Sequence, residues 1–308
     1  MNSQIKRLLY NLLPPKLILW NWEYRRQRYL TEERLTMVPC KTASLSLGYD
    51  TRHGLNYAFY SDGEFAGTRL YYPNTDISKL NKYERYIIET GADFRIKAQE
   101  MDINSPHRYV TAENPIIGTI YPPPQQHPTA QPTPFFVSEG EIVADVGCEA
   151  ANFALSVAGV AKTLYLFEGD SKWTSCLKAT FEPYSDKTNV ISKYISDVSS
   201  DSTITLDDYF QNKEVNFIKM DVEGFERRCL AGAKKLLKRD NVRWSVCVYH
   251  RLDDAEVIGK IFADAGYETE FTPGWMLRRP QCEVVDGEPH ILRSQRPTPR
   301  RVVIRAWK

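Results

Sequence analysis

Residues 217–226 read Phe217-Ile218-Lys219-Met220-Asp221-Val222-Glu223-Gly224-Phe225-Glu226. The mainly apolar start of this stretch predicts a short buried strand. Gly224 permits a sharp turn, and acidic residues suit the first turn of a helix predicted over 225–237, because the helix dipole favours negative charge there. Open α/β sheets bind ligands at the carboxyl ends of their strands, which makes Asp221 and Glu223 candidate site residues. The alternative, that these acids only cap the helix, stays open at this point.

The chain from residue 135 onward alternates predicted strands with predicted helices. Five consecutive strands each end in a charged or polar residue: Asp145, Glu168, Asp197, Asp221 and His250. This alternation predicts an α/β fold with a mostly parallel sheet and right-handed crossovers. Residues 267–271 and 301–307 are predicted as antiparallel strands at the C-terminal edge of that sheet.

The first 134 residues are predicted to form an accessory region, and residues 135–308 the main domain. A proline-rich connector over 115–134 marks the boundary, because proline removes backbone donors and holds the chain extended. A helix is predicted over 77–90. Residues 5–20 are too short and interrupted to span a bilayer. They favour a helix docked on its own domain, with peripheral contact to a membrane as the alternative.

The composition indicates a globular protein that does not bind nucleic acid. The chain has 308 residues, 42% hydrophobic and 26% charged, with a formal net charge of +1. Such a balance gives no field that would recruit a polyanion. The six cysteines are scattered and predict reduced thiols. We therefore expect a cytoplasmic protein, with the inner face of a membrane as an alternative location.

The turn after the first strand of the main domain selects between two cofactor classes. A dinucleotide site needs a glycine-rich turn, but here only Gly147 is present and Glu149 would place a carboxylate against the pyrophosphate. S-adenosylmethionine carries no phosphate and tolerates that carboxylate. Glu168 lies where an acid would accept the ribose hydroxyls, and Asp197 could accept the adenine amine. The pattern therefore predicts S-adenosylmethionine and argues against NAD or FAD.

These segments occur in the order seen in a known family. Together with the central stretch, Leu166-Phe167-Glu168, Ile195-Ser196-Asp197 and Tyr249-His250 resemble the FkbM-type methyltransferases, over about residues 135–267. The resemblance implies a Rossmann-like class I methyltransferase fold, S-adenosylmethionine as donor, and O-methylation, often on sugars of glycans or natural products. The chain departs from the family pattern at Glu149, usually Asn, and at Ala151, usually Gly, which predicts a reshaped cofactor pocket.

The candidate site residues fall into two groups. The cofactor-binding candidates are Asp145, Gly147, Cys148, Glu149, Asn152, Glu168, Ser196 and Asp197. The catalytic candidates are His250, as a base expected to titrate near neutral pH, and Asp221 and Glu223, which would orient it or hold an acceptor hydroxyl. We assign no metal to the site, although His250 and the two carboxylates could instead bind a divalent cation.

The predicted function is O-methylation of a sugar hydroxyl. Two alternatives remain open: a small-molecule O-methyltransferase that acts on a phenol or polyketide, and a protein that binds S-adenosylmethionine without catalysis. The departure at Ala151 is the main support for the second alternative. A nucleic-acid amino-methyltransferase would need a D/N-P-P-Y-type turn after the fourth strand, where this chain has Asp221-Val222-Glu223-Gly224. The sequence does not identify the acceptor.

Overall fold

The structure, a computed structural model, describes residues 36–37, 45–61, 67–74, 119–121, 135–272, 275–278, 283–285, 288–290 and 298–308. The predictions for segment 5–20, for the helix over 77–90 and for most of the connector over 115–134 lie outside the described residues. None of the described helices is long and apolar enough to cross a membrane.

Eighteen strands and five α-helices lie within the described residues. The strands are β1 (Thr36–Met37), β2 (Leu45–Asp50), β3 (Leu55–Tyr60), β4 (Arg69–Tyr72), β5 (Thr119–Tyr121), β6 (Ile142–Val146), β7 (Thr163–Phe167), β8 (Thr188–Ile191), β9 (Tyr194–Ile195), β10 (Thr203–Ile204), β11 (Phe217–Met220), β12 (Arg243–Cys247), β13 (Glu268–Phe271), β14 (Trp275–Arg278), β15 (Glu283–Val285), β16 (Glu288–His290), β17 (Thr298–Arg300) and β18 (Val303–Trp307). The helices are α1 (Asn152–Val157), α2 (Thr174–Thr180), α3 (Leu206–Tyr209), α4 (Glu226–Ala231) and α5 (Asp254–Asp264).

The central sheet has seven strands in the order β13-β18-β12-β11-β6-β7-β8. Strands β8, β7, β6, β11 and β12 run parallel to one another, and β18 is antiparallel to both of its neighbours. The chain runs outward from β6 through β7 to β8 and then returns to β11, which makes the β6–β11 boundary the topological switch point. The prediction of a Rossmann-like α/β fold with a mostly parallel sheet is confirmed.

Three details of the predicted elements are wrong. The strand at 301–307 was expected at the sheet edge, but β18 lies between β12 and β13, where its buried apolar residues contact both neighbours. The third strand divides after Ile191, and β9 leaves the main sheet to pair with β10. The helix predicted over 225–237 is shorter and ends at Ala231, and the Gly232 that follows packs so closely that an added Cβ would lie 2.2 Å from the Ser196 carbonyl oxygen.

Two hydrophobic cores cover the two faces of the central sheet. Alternate residues of a strand point to opposite faces. Val143 and Phe217 pack in one core with α1 and α2, whereas Ala144 and Ile218 pack in the other with residues of α4 and α5. The sheet is therefore a middle layer between two layers of helices, and its carboxyl edge is left for ligands.

A three-stranded antiparallel sheet, β2-β3-β4, extends the first core from the N-terminal side. Tyr60, Tyr71 and Tyr72 are buried in this core. The Tyr71 N–H donates a 3.0 Å hydrogen bond to Oγ1 of the buried Thr180 in α2. The boundary at residue 134 stays a prediction.

We expect Thr180→Val to lower the free energy of unfolding by about 1–3 kcal/mol, because it leaves the Tyr71 N–H buried without its acceptor. Urea titration followed by circular dichroism measures the change. Thr174→Val is the matched control: this partly exposed hydroxyl contacts only Ser192 Oγ among the hydrogen bonds described, and its loss should stay within about 0.5 kcal/mol. Equal effects from the two variants would contradict the docking contact.

Candidate active site

Gly147 brings two parts of the predicted site together. It follows β6 with φ 70°, and its N–H donates to the Phe167 carbonyl at 3.0 Å. A Cβ at this position would lie 2.0 Å from the backbone oxygen of Asp221. The left-handed φ and the close approach both require glycine. The turn after β6 therefore lies directly against the end of β11.

A buried ion pair supports this turn from within the sheet. Lys219 Nζ lies 3.0 Å from Asp145 Oδ1 and donates to the Gly147 carbonyl at 3.2 Å. Burial opposes the charge of Lys219, but the Asp145 carboxylate outweighs it and raises the pKa of the lysine. Asp145 also accepts from the Ala154 N–H at 3.3 Å and has no exposed surface. Asp145 was predicted to bind the cofactor, but its buried carboxylate instead stabilises the turn. The sequence did not indicate its ion pair with Lys219.

The rest of the turn adopts a strained backbone. Glu149 and Ala151 have φ of 47° and 56°, in the left-handed region that usually costs other residues roughly 1–2 kcal/mol. The left-handed φ explains why glycine suits the position of Ala151. Alanine still fits, because the cost of this conformation is small. Cys148 is buried, and burial raises the pKa of its thiol well above the usual range. Asn152 is the first residue of α1.

Glu168 binds the turn from the end of β7. Its Oε2 accepts the Glu149 N–H and its Oε1 accepts the Asp170 N–H, both at 2.9 Å. Partial burial raises the pKa of Glu168, against the lowering effect of these backbone hydrogen bonds. A carboxylate offers about four acceptor positions, so each oxygen keeps capacity for a further hydroxyl donor.

Asp197 lies in the loop after β9 and already has a cationic partner. Its Oδ1 accepts from Ser196 Oγ at 2.9 Å and from Arg228 Nη2 at 3.0 Å. The Ser196 hydroxyl and the Arg228 guanidinium hold the pKa of Asp197 below its usual value. Asp197 was predicted to accept the adenine amine. Its carboxylate would then bind both the amine and Arg228, and the sequence did not indicate the contact with Arg228.

The three catalytic candidates meet at the carboxyl ends of β11 and β12. Ligand atoms of Asp221, Glu223 and His250 all lie within 4.8 Å of one another. His250 Nε2 is 3.4 Å from Asp221 Oδ1 and 3.5 Å from Glu223 Oε2. His250 is buried, whereas the Glu223 side chain is 75% exposed. We refer to these three residues as the acid–histidine cluster.

Glu226 completes the cluster from below. This fully buried carboxylate lies 2.9 Å from His250 Nδ1 and accepts the Val222 N–H at 3.0 Å. The suggestion that Glu226 only caps a helix is therefore wrong: its side chain bonds the turn before α4 and contacts the imidazole. The sequence placed Glu226 in the correct stretch but could not show which way its side chain points.

The structure contradicts the expectation that His250 titrates near neutral pH. Burial favours the neutral imidazole, but the contacts with Glu223 and Glu226 and the charge of Asp221 outweigh it and raise the pKa of His250 to about 10. An imidazole with that pKa is protonated at neutral pH and is not available as a base. The expectation was wrong because it used only the position of His250 at the end of a strand. That position did not reveal the three carboxylates that surround the imidazole in the folded protein and raise its pKa.

Residues 74–269 match the methyltransferase FkbM domain, which is more than half of the chain. The chain belongs to the FkbM methyltransferase family. The match includes the Gly147 turn, Glu168, and the acid–histidine cluster. S-adenosylmethionine is the cofactor of this domain.

Solved structures similar to this FkbM methyltransferase share little sequence with it. A methyltransferase FkbM from Methylobacillus flagellatus KT is 14% identical, with a TM-score of 0.43, and the alignment covers 76% of this chain and 56% of that one. A precorrin-6y C5,15-methyltransferase from Geobacter metallireducens GS-15 is 10% identical with a TM-score of 0.39, over 56% of this chain and 82% of that chain. A magnesium protoporphyrin IX methyltransferase from Synechocystis PCC 6803, with bound SAM, is 13% identical with a TM-score of 0.34, over 55% and 71% of the two chains. No curated protein matches the chain.

The residues present fit S-adenosylmethionine. Glu168 retains acceptor capacity for ribose hydroxyls, and Gly147 places no side chain at the sheet edge. Glu149 is exposed beside it and is compatible with a cationic ligand. When bound, this cofactor supplies a methyl group on a sulfonium, already activated for transfer.

We expect Glu168→Ala to weaken S-adenosylmethionine binding roughly tenfold to hundredfold, because charge-assisted hydrogen bonds to the ribose contribute about 1.5–3 kcal/mol. Isothermal titration calorimetry measures the Kd. Glu182→Ala is the control, since this exposed carboxylate pairs with Arg52 and should leave binding unchanged. NAD should not bind the wild type. An unaltered Kd in Glu168→Ala would contradict the assignment.

We expect Gly147→Ala to destabilise the fold by at least about 2 kcal/mol, through left-handed strain and overlap with the Asp221 carbonyl. Gly159→Ala is matched to it, because nothing lies within 4 Å of a Cβ at Gly159. Thermal unfolding of both variants compares them. If Gly147→Ala melts like Gly159→Ala, the turn does not depend on this contact.

Proposed function

We propose that the protein is an S-adenosylmethionine-dependent O-methyltransferase that acts on a sugar hydroxyl of a glycan or a glycosylated natural product. The observation that carries the proposal is the acid–histidine cluster, which lies at the carboxyl edge of the sheet and adjoins the cofactor turn through the Gly147–Asp221 contact. Ligands of open α/β sheets bind at this edge. An acceptor held at the cluster would therefore lie next to the bound methyl donor.

The cluster has the chemistry to orient a hydroxyl group. Asp221 Oδ2 accepts from the Tyr249 hydroxyl at 2.9 Å, while Oδ1 faces His250. Glu223 extends into solvent above them. Carboxylate oxygens accept hydrogen bonds from hydroxyl donors and favour departure of the proton. Orientation of this kind can lower a barrier by roughly 7–11 kcal/mol, and base catalysis adds about 10²–10⁴-fold in rate.

A polyhydroxylated acceptor suits these surroundings better than an apolar one. Two charged side chains lie at the cluster: Glu223 is largely exposed, and Arg251 donates to the Gly224 carbonyl at 3.1 Å. The nearest aromatic side chain, Tyr249, is engaged with Asp221 and with the His250 ring, whose centroid is 4.3 Å away. The net charge of +1 continues to argue against a nucleic-acid acceptor.

A screen with methyl-labelled S-adenosylmethionine tests the acceptor class. We expect label in nucleotide sugars or lipid-linked glycans, and mass spectrometry of the product should place the methyl group on a hydroxyl oxygen. Transfer to catechols alone would support the small-molecule alternative and contradict ours. Donor binding with no transfer to any of these acceptors would support a protein that binds S-adenosylmethionine without catalysis.

We expect Asp221→Asn to lower turnover at least about a hundredfold while the Kd for the donor stays within about twofold, because the change removes the charge that faces the acceptor. Asp240→Asn is the control: its side chain is 91% exposed and pairs only loosely with Lys308, at 3.6 Å. Steady-state kinetics and calorimetry give the two quantities. Turnover in Asp221→Asn equal to that of the control would exclude Asp221 from the reaction.

A further inference from the structure

The spacing within the acid–histidine cluster is unusual for hydrogen bonds. His250 Nε2 lies 3.4 Å from Asp221 Oδ1 and 3.5 Å from Glu223 Oε2, longer than the usual range of about 2.7–3.2 Å. Bonds of about 2.0–2.2 Å from one cation to each ligand separate neighbouring ligand atoms by roughly 3.0–3.5 Å. Both distances from the imidazole nitrogen fall near this range, and the three potential ligand atoms all lie within 4.8 Å of one another.

The imidazole is buried and directed into this space. His250 is only 1% exposed, and its Nε2 has no hydrogen-bond partner among the residues that the structure describes. Buried polar atoms without a hydrogen bond are uncommon, because desolvation makes them costly. Asp221 Oδ1, on the opposite side of the gap, is also buried without a hydrogen-bond partner in the described part of the chain. His250 Nε2 and Asp221 Oδ1 are thus two potential ligand atoms that face one another without forming a hydrogen bond.

The surrounding residues hold the ligands as the outer residues of metal sites do. Glu226 lies 2.9 Å from His250 Nδ1, which favours a proton on Nδ1, so that a cation bound at Nε2 would displace only the proton on that nitrogen. Tyr249 donates to Asp221 Oδ2 at 2.9 Å and leaves Oδ1 free of that contact. Glu226 also accepts the Val222 N–H and thereby fixes the turn that carries Glu223. Contacts within the protein therefore orient the His250 and Asp221 side chains and fix the backbone turn that carries Glu223.

The backbone at Glu223 supports the same assignment. Glu223 has φ 53°, a left-handed conformation that costs a residue with a side chain roughly 1–3 kcal/mol. This conformation directs an otherwise exposed carboxylate back to within 3.5 Å of the imidazole. The strain is expected where the position of the carboxylate matters to function.

We infer that Asp221, Glu223 and His250 bind a divalent first-row transition-metal cation through Oδ1, Oε2 and Nε2. One imidazole nitrogen with two carboxylate oxygens suits Mn²⁺, Fe²⁺, Co²⁺ or Zn²⁺ better than Mg²⁺ or Ca²⁺, which prefer oxygen alone. Three protein ligands leave coordination positions open for the acceptor hydroxyl. The hydroxyl oxygen would bind there and release its proton to solvent. This catalytic role rests on the proposed function, whereas cation binding stands on the geometry alone.

Mn²⁺ titration of chelator-treated full-length protein, without donor or acceptor, tests the site. Electron paramagnetic resonance of free Mn²⁺ and calorimetry should both report one ion per chain. Glu223→Gln replaces an exposed anionic ligand by a neutral amide without changing the buried pair and should weaken binding at least about tenfold. His250→Ala should do the same, but it leaves the buried Glu226 carboxylate without its imidazole partner and could unfold, so Glu223→Gln is the deciding variant. Glu182→Gln, an exposed carboxylate outside the cluster, is the control and should bind like the wild type.

Failure of the metal site and failure of the proposed function give different results. No stoichiometric binding of Mn²⁺ or Zn²⁺, or equal binding by Glu223→Gln and wild type, overturns the metal site whatever the protein methylates. Stoichiometric binding that is weakened in Glu223→Gln supports the site even if no acceptor is found. Methyl transfer that continues unchanged after EDTA treatment overturns the catalytic role of the cation, and loss that Mn²⁺ restores supports it.

Discussion

The close packing of Gly147 against the Asp221 carbonyl is the contact on which the arrangement of the site depends. Because β6 and β11 are adjacent and parallel, the ends of both strands lie at one edge of the sheet. The turn after β6 can fold over that edge only without a side chain, since a Cβ would lie 2.0 Å from the Asp221 oxygen. The cofactor turn and the acid–histidine cluster are thereby held together by backbone, which does not change rotamer.

Buried charge then gives each half of the site its internal support. Asp145 and Lys219 form an ion pair beneath the turn, and Glu226 contacts His250 beneath the cluster. Removing one partner of such a pair leaves an uncompensated charge in a medium of low dielectric, which typically costs about 3–5 kcal/mol. Asp145, Lys219 and Glu226 therefore serve to position the residues of the site. Glu168 and Glu223 are the more exposed acids of the site.

The sequence predicted the secondary-structure elements better than it predicted which side chains contact one another. Local apolar runs were enough to locate the strands that precede Gly147, Glu168 and Asp221, because burial between two helix layers demands such runs. The contacts of Lys219, Arg228 and Glu226 were missed, since each joins residues that only the folded sheet brings together. Arg228 pairs with Asp197 across 31 positions, and no local pattern encodes that distance. The insertion of β18 between β12 and β13 was missed for the same reason.

A crystal structure of the protein with S-adenosylhomocysteine tests the central claim most directly, because it shows where the donor lies relative to the cluster. We predict ribose hydroxyls at the Glu168 carboxylate and a sulfur that faces Asp221, Glu223 and His250, with the Gly147 turn against the ligand. A ligand whose sulfur faces away from these three residues, or whose ribose lies away from Glu168, would contradict the account.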